Sequence, residues 1–542
     1  MSPAELIFVG GPIITVDPRY PNPQAVAVAD GRITAVGAID EVMPLRVPDT
    51  RIVGLGGRCL LPGFIDAHAH PTQDQLLFIE AVVDIRPVTC ATAEAVHAVI
   101  HAALASKPDG QPLVFNGLDV LLQKGFPEPT RAWLDELGPD RPIMVWQNSG
   151  HLAWANSAAL AFAGIDDNTY DPVGGHFDRD EDGHLTGKAF ETAAILMILG
   201  PIVIPELSTP GPLALEHTYL ASRGVTMVSD MGFSDAMRPL TQAVYDQGLA
   251  KVRTRAYEMS DRRLHTDCPV ENGDDMFRQI GIKIWVDGSP WVGNIHTSFP
   301  YLNTPETAAM GLGPDHRGHA NYTSDQLHEL LGAYFPPGWQ LACHVHGDLG
   351  VDTILDVYEK ALAAYPRVDH RLRLEHCGTM TAEQYRRAAR IGVTCSLFID
   401  HLYYWGDVLV DGLFGEDHGA HWVRAKSALD AGMPISFHND SPVTPEEPLR
   451  NMAVAMSRMS RSGRVFAPEE RITFDQALRA QTLDAAYQLF ADDITGSISP
   501  GKYADLVVLE TDPRTVEVAA LPDIPVHSTY LSGIQTYSGV AK

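Results

Sequence analysis

The residues best equipped for chemistry in this chain are two histidines one residue apart, His68 and His70, closing the apolar run LPGFIDAHAHP (61–71). Side chains alternate faces along a strand, so Asp66, His68 and His70 point the same way. Burying three polar groups on one face is costly unless something pairs with them. A metal ion would do so, and so would a hydrogen-bonded network in an ordinary core; the motif alone leaves both open. Further apolar runs end in Lys283 and Asp287 (GIKIWVDG), His344 and His346 (WQLACHVHGD), His376 (RLRLEH) and Asp440 (MPISFHND). Neutral imidazoles suit zinc-like ions, and a carboxylate can both ligate and accept a proton. A bound ion lowers the pKa of its water to ~7 and polarises a carbonyl, which is what amide hydrolysis at neutral pH requires. Asp440 beside the ion would then take the proton and pass it to the leaving nitrogen. Lys283 either pairs with Asp287, snorkels outward, or is carbamylated by CO₂ into a carboxylate that bridges two metals.

Chemistry at strand ends demands a scaffold that gathers strand ends. The run containing His68 is followed by GVTMVSD (224–230), KVRTRAYEM (251–259), GIKIWVDG (281–288), WQLACHVHGD (339–348), RLRLEH (371–376), GVTCSLFID (392–400) and MPISFHND (433–440). Helical patterns such as AEQYRRAARIG and DTILDVYEKALAAY lie between them, with apolar residues three and four apart. Eight strand–helix repeats predict a (β/α)₈ TIM-like barrel over 62–489, with chemistry at the carboxyl ends of the strands. Residues 72–215 break that rhythm and read as a long insertion subdomain after the first barrel strand. Short strand signals crowd both ends of the chain, with a hairpin turn at Asp30–Gly31–Arg32. Segments 1–61 and 490–542 are therefore expected to form one composite β-sandwich. The acidic stretch DRDEDG (178–183) lacks the twelfth-position Glu of an EF-hand and reads as a solvated turn.

The composition narrows the partners. Of 542 residues, 45% are hydrophobic and 20% charged, as in a folded protein with a large core. A formal charge of −28 argues against nucleic acid or anionic membrane, which require basic patches. The six cysteines form no CxxC pair, so neither a zinc ribbon nor a disulfide framework is indicated. No basic leader opens the sequence and no run reaches ~18 apolar residues, so a cytoplasmic location is the default expectation.

Several residues are candidates for touching substrate: His151 in SGHLAWAN, Glu191, Asp287, Trp291 and the second histidine of HVH, His346. Trp291 belongs with Trp405 and the neighbouring His401 to a set of aromatic groups suited to an apolar wall, or to plain packing.

Taken in order, LPGFIDAHAHP, SGHLAWANSAAL, GHLTGKAFE, IKIWVDGS, HVHGDLGVD, RLEHCG, HNDSPVTP and DITGSISPGKYADLVVL make the chain resemble the amidohydrolase superfamily, in the amidohydrolase-3 branch that includes N-substituted formamide deformylase. The resemblance implies that His68 and His70 are first-strand metal ligands, Lys283 the fourth-strand lysine that is often carbamylated, His344 and His376 the fifth- and sixth-strand histidines, and Asp440 the eighth-strand ligand and catalytic aspartate. It implies one or two divalent ions, zinc first among them, a small-molecule amide substrate and a homodimer. The implied reaction is attack of metal-bound hydroxide on a C–N bond of an amide, N-acyl or N-formyl compound other than a peptide. Cyclic amide or carbamate hydrolysis and deamination are alternatives on the same site, and a non-catalytic binding or regulatory relative is a third. This chain departs from its relatives in having His346 where H-A-I-G-D is common, His438-Asn439 before Asp440 where Gly-Ser is common, and SPWVGNIHTSFPY after the DGS.

Overall fold

The computed structural model describes residues 3–539 apart from Leu121, Ser149, His151, Val173, 261–269, Glu271 and the side chain of Thr192. The chain divides into two compact units, one made of residues 1–72 and 217–542, the other of 73–216.

The larger unit holds the barrel. Its eight strands are β1 (Phe64–Ala69), β2 (Val225–Phe233), β3 (Arg253–Met259), β4 (Phe277–Trp285), β5 (Gln340–Val345), β6 (Arg373–His376), β7 (Thr394–Leu397) and β8 (Ile435–Phe437). Each pairs in parallel with the next, β1 through β8. The seam between β8 and β1 has no regular ladder. It is bridged by the His70 N–H donating to the Ser441 carbonyl (3.0 Å) and the Asn439 N–H donating to the Asp66 carboxylate (3.0 Å). The strands are almost wholly buried on both faces, which is why they read as continuous Val, Ile and Leu runs rather than as alternating ones.

Helices between the strands start at capping boxes written in the sequence. Thr323 with Gln326, Thr381 with Gln384 and Thr473 with Gln476 each satisfy two terminal N–H groups reciprocally. The predicted helical pattern AEQYRRAARIG becomes the helix Ala382–Arg390, and DTILDVYEKALAAY lies in Asp348–Ala364 up to its last residue, the C-cap Tyr365.

Both termini contribute to the β-sandwich of this unit. One sheet contains Ala4–Val9, Ala25–Ala29, Arg32–Gly37 and Arg46–Gly54; the other joins Cys59–Pro62 to Leu506–Leu509, Val526–Leu531 and Ile534–Ser538. Leu6, Phe8, Val26 and Val28 from the first sheet share one core with Leu60, Leu506, Val508 and Tyr530 from the second. The expected hairpin is present: Ala29 pairs with Arg32, and Asp30 and Gly31 take positive φ (51° and 71°), as a primed two-residue turn requires.

The inserted unit has its own six-stranded sheet, in the order His176–Arg179, Leu185–Phe190, Leu152–Ala155, Ile143–Gln147, Leu113–Leu118, Val82–Asp84. The helix Glu191–Leu207 packs on it through Ile195, Ile198, Leu199, Ile202 and Val203. The DRDEDG stretch forms the hairpin turn between two of these strands, where Asp180 Oδ1 accepts from the Asp182 and His184 N–H groups. Among the described residues, no single helix is long and apolar enough to cross a membrane.

Candidate metal centre

The polar groups singled out in the sequence converge at the carboxyl ends of the barrel strands. On β1, alternation sends Asp66 and His68 to the same side, both fully buried. Asp66 accepts the His68 N–H at 2.7 Å and the Asn439 N–H at 3.0 Å, so it ties β1 to the segment that carries Asp440. Burial pushes the Asp66 carboxyl up to about 7, against those hydrogen bonds.

His68 has a defined tautomer. Its Nδ1 lies 2.7 Å from Glu375 Oε2. Burial raises the Glu375 carboxyl, but Arg373 and His68 more than offset this and leave it at about 2, so it is an ionised acceptor. The Arg373 guanidinium holds it at 2.8 Å. His68 Nδ1 therefore carries the proton, and Nε2 turns a lone pair toward Lys283 Nζ (2.8 Å) and Asp440 Oδ1 (3.3 Å). A lone pair facing a carboxylate oxygen is unfavourable without a cation between or beside them. His70 Nε2 approaches the same Asp440 oxygen at 3.1 Å, and its Nδ1 is buried with no hydrogen-bond partner.

Asp440 is ionised in this setting. Burial raises its carboxyl, yet its close contacts with His68 and His70 carry it well below the usual range. Burial pulls the Lys283 ammonium down to about 8, with Glu375 and Asp440 resisting. It also depresses the imidazoles: His344 falls to about 3, and His346, His376 and His438 fall well below their ordinary value. They are neutral at neutral pH, the form that binds metals.

Among the described residues, three sets of donor atoms lie close enough to hold an ion: His68, His70 and Asp440; His344, His346 and His376; and His68, His376 and His438, each set within 4.8 Å. Imidazole lone pairs, one ionised carboxylate, a depressed lysine and orphaned buried ring nitrogens fit a zinc-type centre. Backbone strain helps to build it. His376 and Asp440 both adopt left-handed φ (71° and 51°), a conformation that costs about 1–3 kcal/mol for a non-glycine residue and persists where surrounding structure imposes it.

Of the residues expected to meet substrate, Asp287 is fully buried and accepts the N–H groups of His346 (2.9 Å), Gly347 (2.7 Å) and His296 (3.2 Å). It clamps the loop after β5 to the loop after β4. Gly347 is required there, because a Cβ would collide with the His296 carbonyl. Trp291 sits in the turn Pro290–Val292, its ring 5.1 Å from Trp405 and 5.3 Å from His401. His401 in turn stacks on Phe398 (3.9 Å) and lies 5.5 Å from His346, so an aromatic wall runs up to the histidines. His346 also packs on Trp422 at 5.6 Å. Trp285, by contrast, is 42% exposed. Glu191 belongs to the inserted unit, where it opens the helix Glu191–Leu207 with φ 67°. His151 lies outside the described residues.

Glu375, Trp422 and His438 belong to the centre in addition to the residues expected there, His438 having stood out only as a departure from relatives. Signals for two of them were present. Glu375 lies two residues from Arg373 on one strand face, a pairing expected of buried charges, and His438 stands two residues before Asp440, as His68 stands before His70. Because Glu375 orients His68, Glu375→Gln is expected to weaken the binding of added zinc about 10–100-fold. A zinc titration against a chelating dye measures this, and unchanged affinity would refute the orienting role.

A nearly closed set of eight parallel strands with a histidine- and carboxylate-rich centre at their carboxyl ends defines the class, a TIM-like barrel hydrolase. The chain belongs to the amidohydrolase family, whose model matches residues 51–537. It is 30% identical to N-substituted formamide deformylase of Arthrobacter pascens, over 98% of each chain. It is 28% identical to protein LONG AFTER FAR-RED 3 of Arabidopsis thaliana, over 98% of this chain and 92% of that one. An uncharacterized metal-dependent hydrolase from Pyrococcus horikoshii has the same fold, with a TM-score of 0.75 at 21% identity, covering 95% of this chain and 99% of that one.

Proposed function

We propose that this protein is a metal-dependent hydrolase of a C–N bond in a small amide, with an N-formyl or N-acyl amine as substrate. The observation that carries the reading is the ionised Asp440 held against the lone-pair side of His68 and within 3.1 Å of His70 Nε2. The likeness to a formamide deformylase along the whole chain supports the choice of substrate class. His68, His70 and Asp440 would hold one ion, and His344 and His376 a second, with Lys283 Nζ 2.8 Å from His68 Nε2. Bound there, zinc would polarise the amide carbonyl and acidify a water.

The chain's own residues do the rest. Asp440 accepts the proton of the attacking water and delivers it to the departing nitrogen, which leaves as a neutral amine. Glu375 and Arg373 keep His68 in the tautomer that turns Nε2 inward. Burial draws Lys283 down to about 8, which favours the free amine, the form that takes up CO₂ to become a carbamate, relative to an exposed lysine. Trp291, His401 and Trp405 offer an apolar wall for the group on nitrogen.

The test is a screen of zinc- and manganese-loaded protein against N-formyl amines, N-acyl amines and cyclic amides, with formate, carboxylate and amine release measured separately. Formate or carboxylate release with a matching amine is the expected result. Ring opening alone or ammonia release would move the assignment to a cyclic amide hydrolase or a deaminase. A second reading, a regulatory relative without turnover, draws on the name of one relative, exoenzymes regulatory protein AepA of Pectobacterium carotovorum, 27% identical over 66% of this chain. A protein that takes up well under one ion per chain and is inert to added zinc would favour it.

A further inference from the structure

His346 directly follows β5 (Gln340–Val345). It is buried, and its Nδ1 has no hydrogen-bond partner. An unpaired polar atom in such a place is destabilising unless it is used. Its neighbours are the two histidines of β5 and β6, with ring centroids 5.0 Å (His344) and 4.8 Å (His376) away.

The hydrogen bonds around these neighbours decide which nitrogens are free. His344 Nε2 lies 2.9 Å from the Gly288 carbonyl, which only accepts, so Nε2 carries the proton and Nδ1 the lone pair. The state of His376 follows from a buried chain that ends at Gln488. The Gln488 Nε2 donates to the Cys395 carbonyl (2.8 Å), which fixes its amide so that Oε1 accepts from the Ser436 hydroxyl (2.7 Å). Ser436 has one proton, now committed, so its 2.9 Å contact with Ser396 takes the Ser396 proton. Ser396 Oγ, 2.8 Å from His438 Nδ1, can then only accept, and His438 Nδ1 carries a proton. His438 Nε2 is left as the acceptor for His376 Nδ1 at 3.1 Å. His376 therefore presents the lone pair of Nε2. His438, engaged at both nitrogens, is spoken for and is no ligand; it positions His376.

We propose that His344, His346 and His376 form a three-histidine site for a zinc-type divalent cation, with His346 as a ligand. The site is complete without a carbamate on Lys283. It rests on the metal-dependent reading above but not on the identity of the substrate. Three imidazoles leave a fourth position open, the ligand set of a catalytic rather than a structural zinc.

The experiment uses full-length protein stripped of metal by chelation and titrated with Co²⁺ in carbonate-free buffer, read by elemental analysis, the visible spectrum and X-ray absorption. The Lys283→Met variant is expected to keep the equivalent of cobalt bound by histidine nitrogens. His346→Phe, which retains the ring packed on Trp422 and His401, is expected to bind that equivalent at least tenfold more weakly. His346→Asp is expected to restore it, with one nitrogen scatterer fewer. Equal cobalt affinity in His346→Phe and wild type would overturn the site, as would loss of that equivalent in Lys283→Met. Cobalt binding as expected without hydrolysis of any amide would refute only the proposed function; hydrolysis with unaltered cobalt binding in His346→Phe would refute only the site.

Discussion

Asp440→Asn is expected to lower kcat on an N-formyl amine by about 10²–10⁴, with KM moved far less. The substitution preserves shape and keeps a carbonyl oxygen near His68 and His70, so the strands that carry them have no reason to shift. It removes the one group in the centre that is both ionised and within 3.1–3.3 Å of two imidazoles. An amide nitrogen leaves as a poor anion unless it is protonated, and an asparagine amide is not basic enough to take a proton from water and return it. The effect should therefore appear in turnover, while zinc content per chain stays at the wild-type level. Steady-state kinetics with elemental analysis on the same preparation measures both. Activity within threefold of wild type would remove Asp440 from the proton path, and loss of activity together with all zinc would make it a ligand only.

The second large effect concerns stability. Asp505→Ala is expected to destabilise the larger unit by about 3–5 kcal/mol, because it strands a buried guanidinium. Arg253, at the start of β3, is 1% exposed, and its Nε and Nη2 reach the two Asp505 oxygens at 2.7 and 3.1 Å. The same carboxylate accepts the Ser532 N–H (2.8 Å), while the Asp505 carbonyl accepts from Gly63 just before β1. One residue of the C-terminal segment thus clamps a barrel strand, the first strand's entry and the C-terminal sheet. Denaturant midpoints of the variant against wild type measure the loss. Replacing both partners, Arg253→Met with Asp505→Leu, should recover most of it, since the cost of the single change is the uncompensated charge. A single-variant loss under about 0.5 kcal/mol would show that water reaches Arg253.

Much of this architecture was legible because its signals are local. Eight apolar runs with helix patterns between them dictate a barrel, since each strand must bury two faces and each helix one. The Asp30–Gly31 turn and the Thr–Gln capping boxes are local in the same way. The inserted unit's six-stranded sheet was not legible: its strands are short, and its order mixes parallel and antiparallel neighbours, which no local pattern encodes.

The candidate centre divides along the same line. By itself the sequence determined the residue types and their place at strand ends, His68, His70, Lys283, His344, His376 and Asp440, because strand periodicity and the barrel rule need no coordinates. Only the tertiary structure decided which nitrogens carry lone pairs. That depends on partners far away in sequence, Glu375 for His68, Gly288 for His344, and Gln488 through Ser436, Ser396 and His438 for His376. Alternation that places Glu375 inward would turn His376 away; the left-handed backbone at His376 brings its ring to 4.6 Å from that of His68. Hydrogen-bond direction and backbone strain are properties of packed neighbours, and they turn a set of suitable side chains into a site.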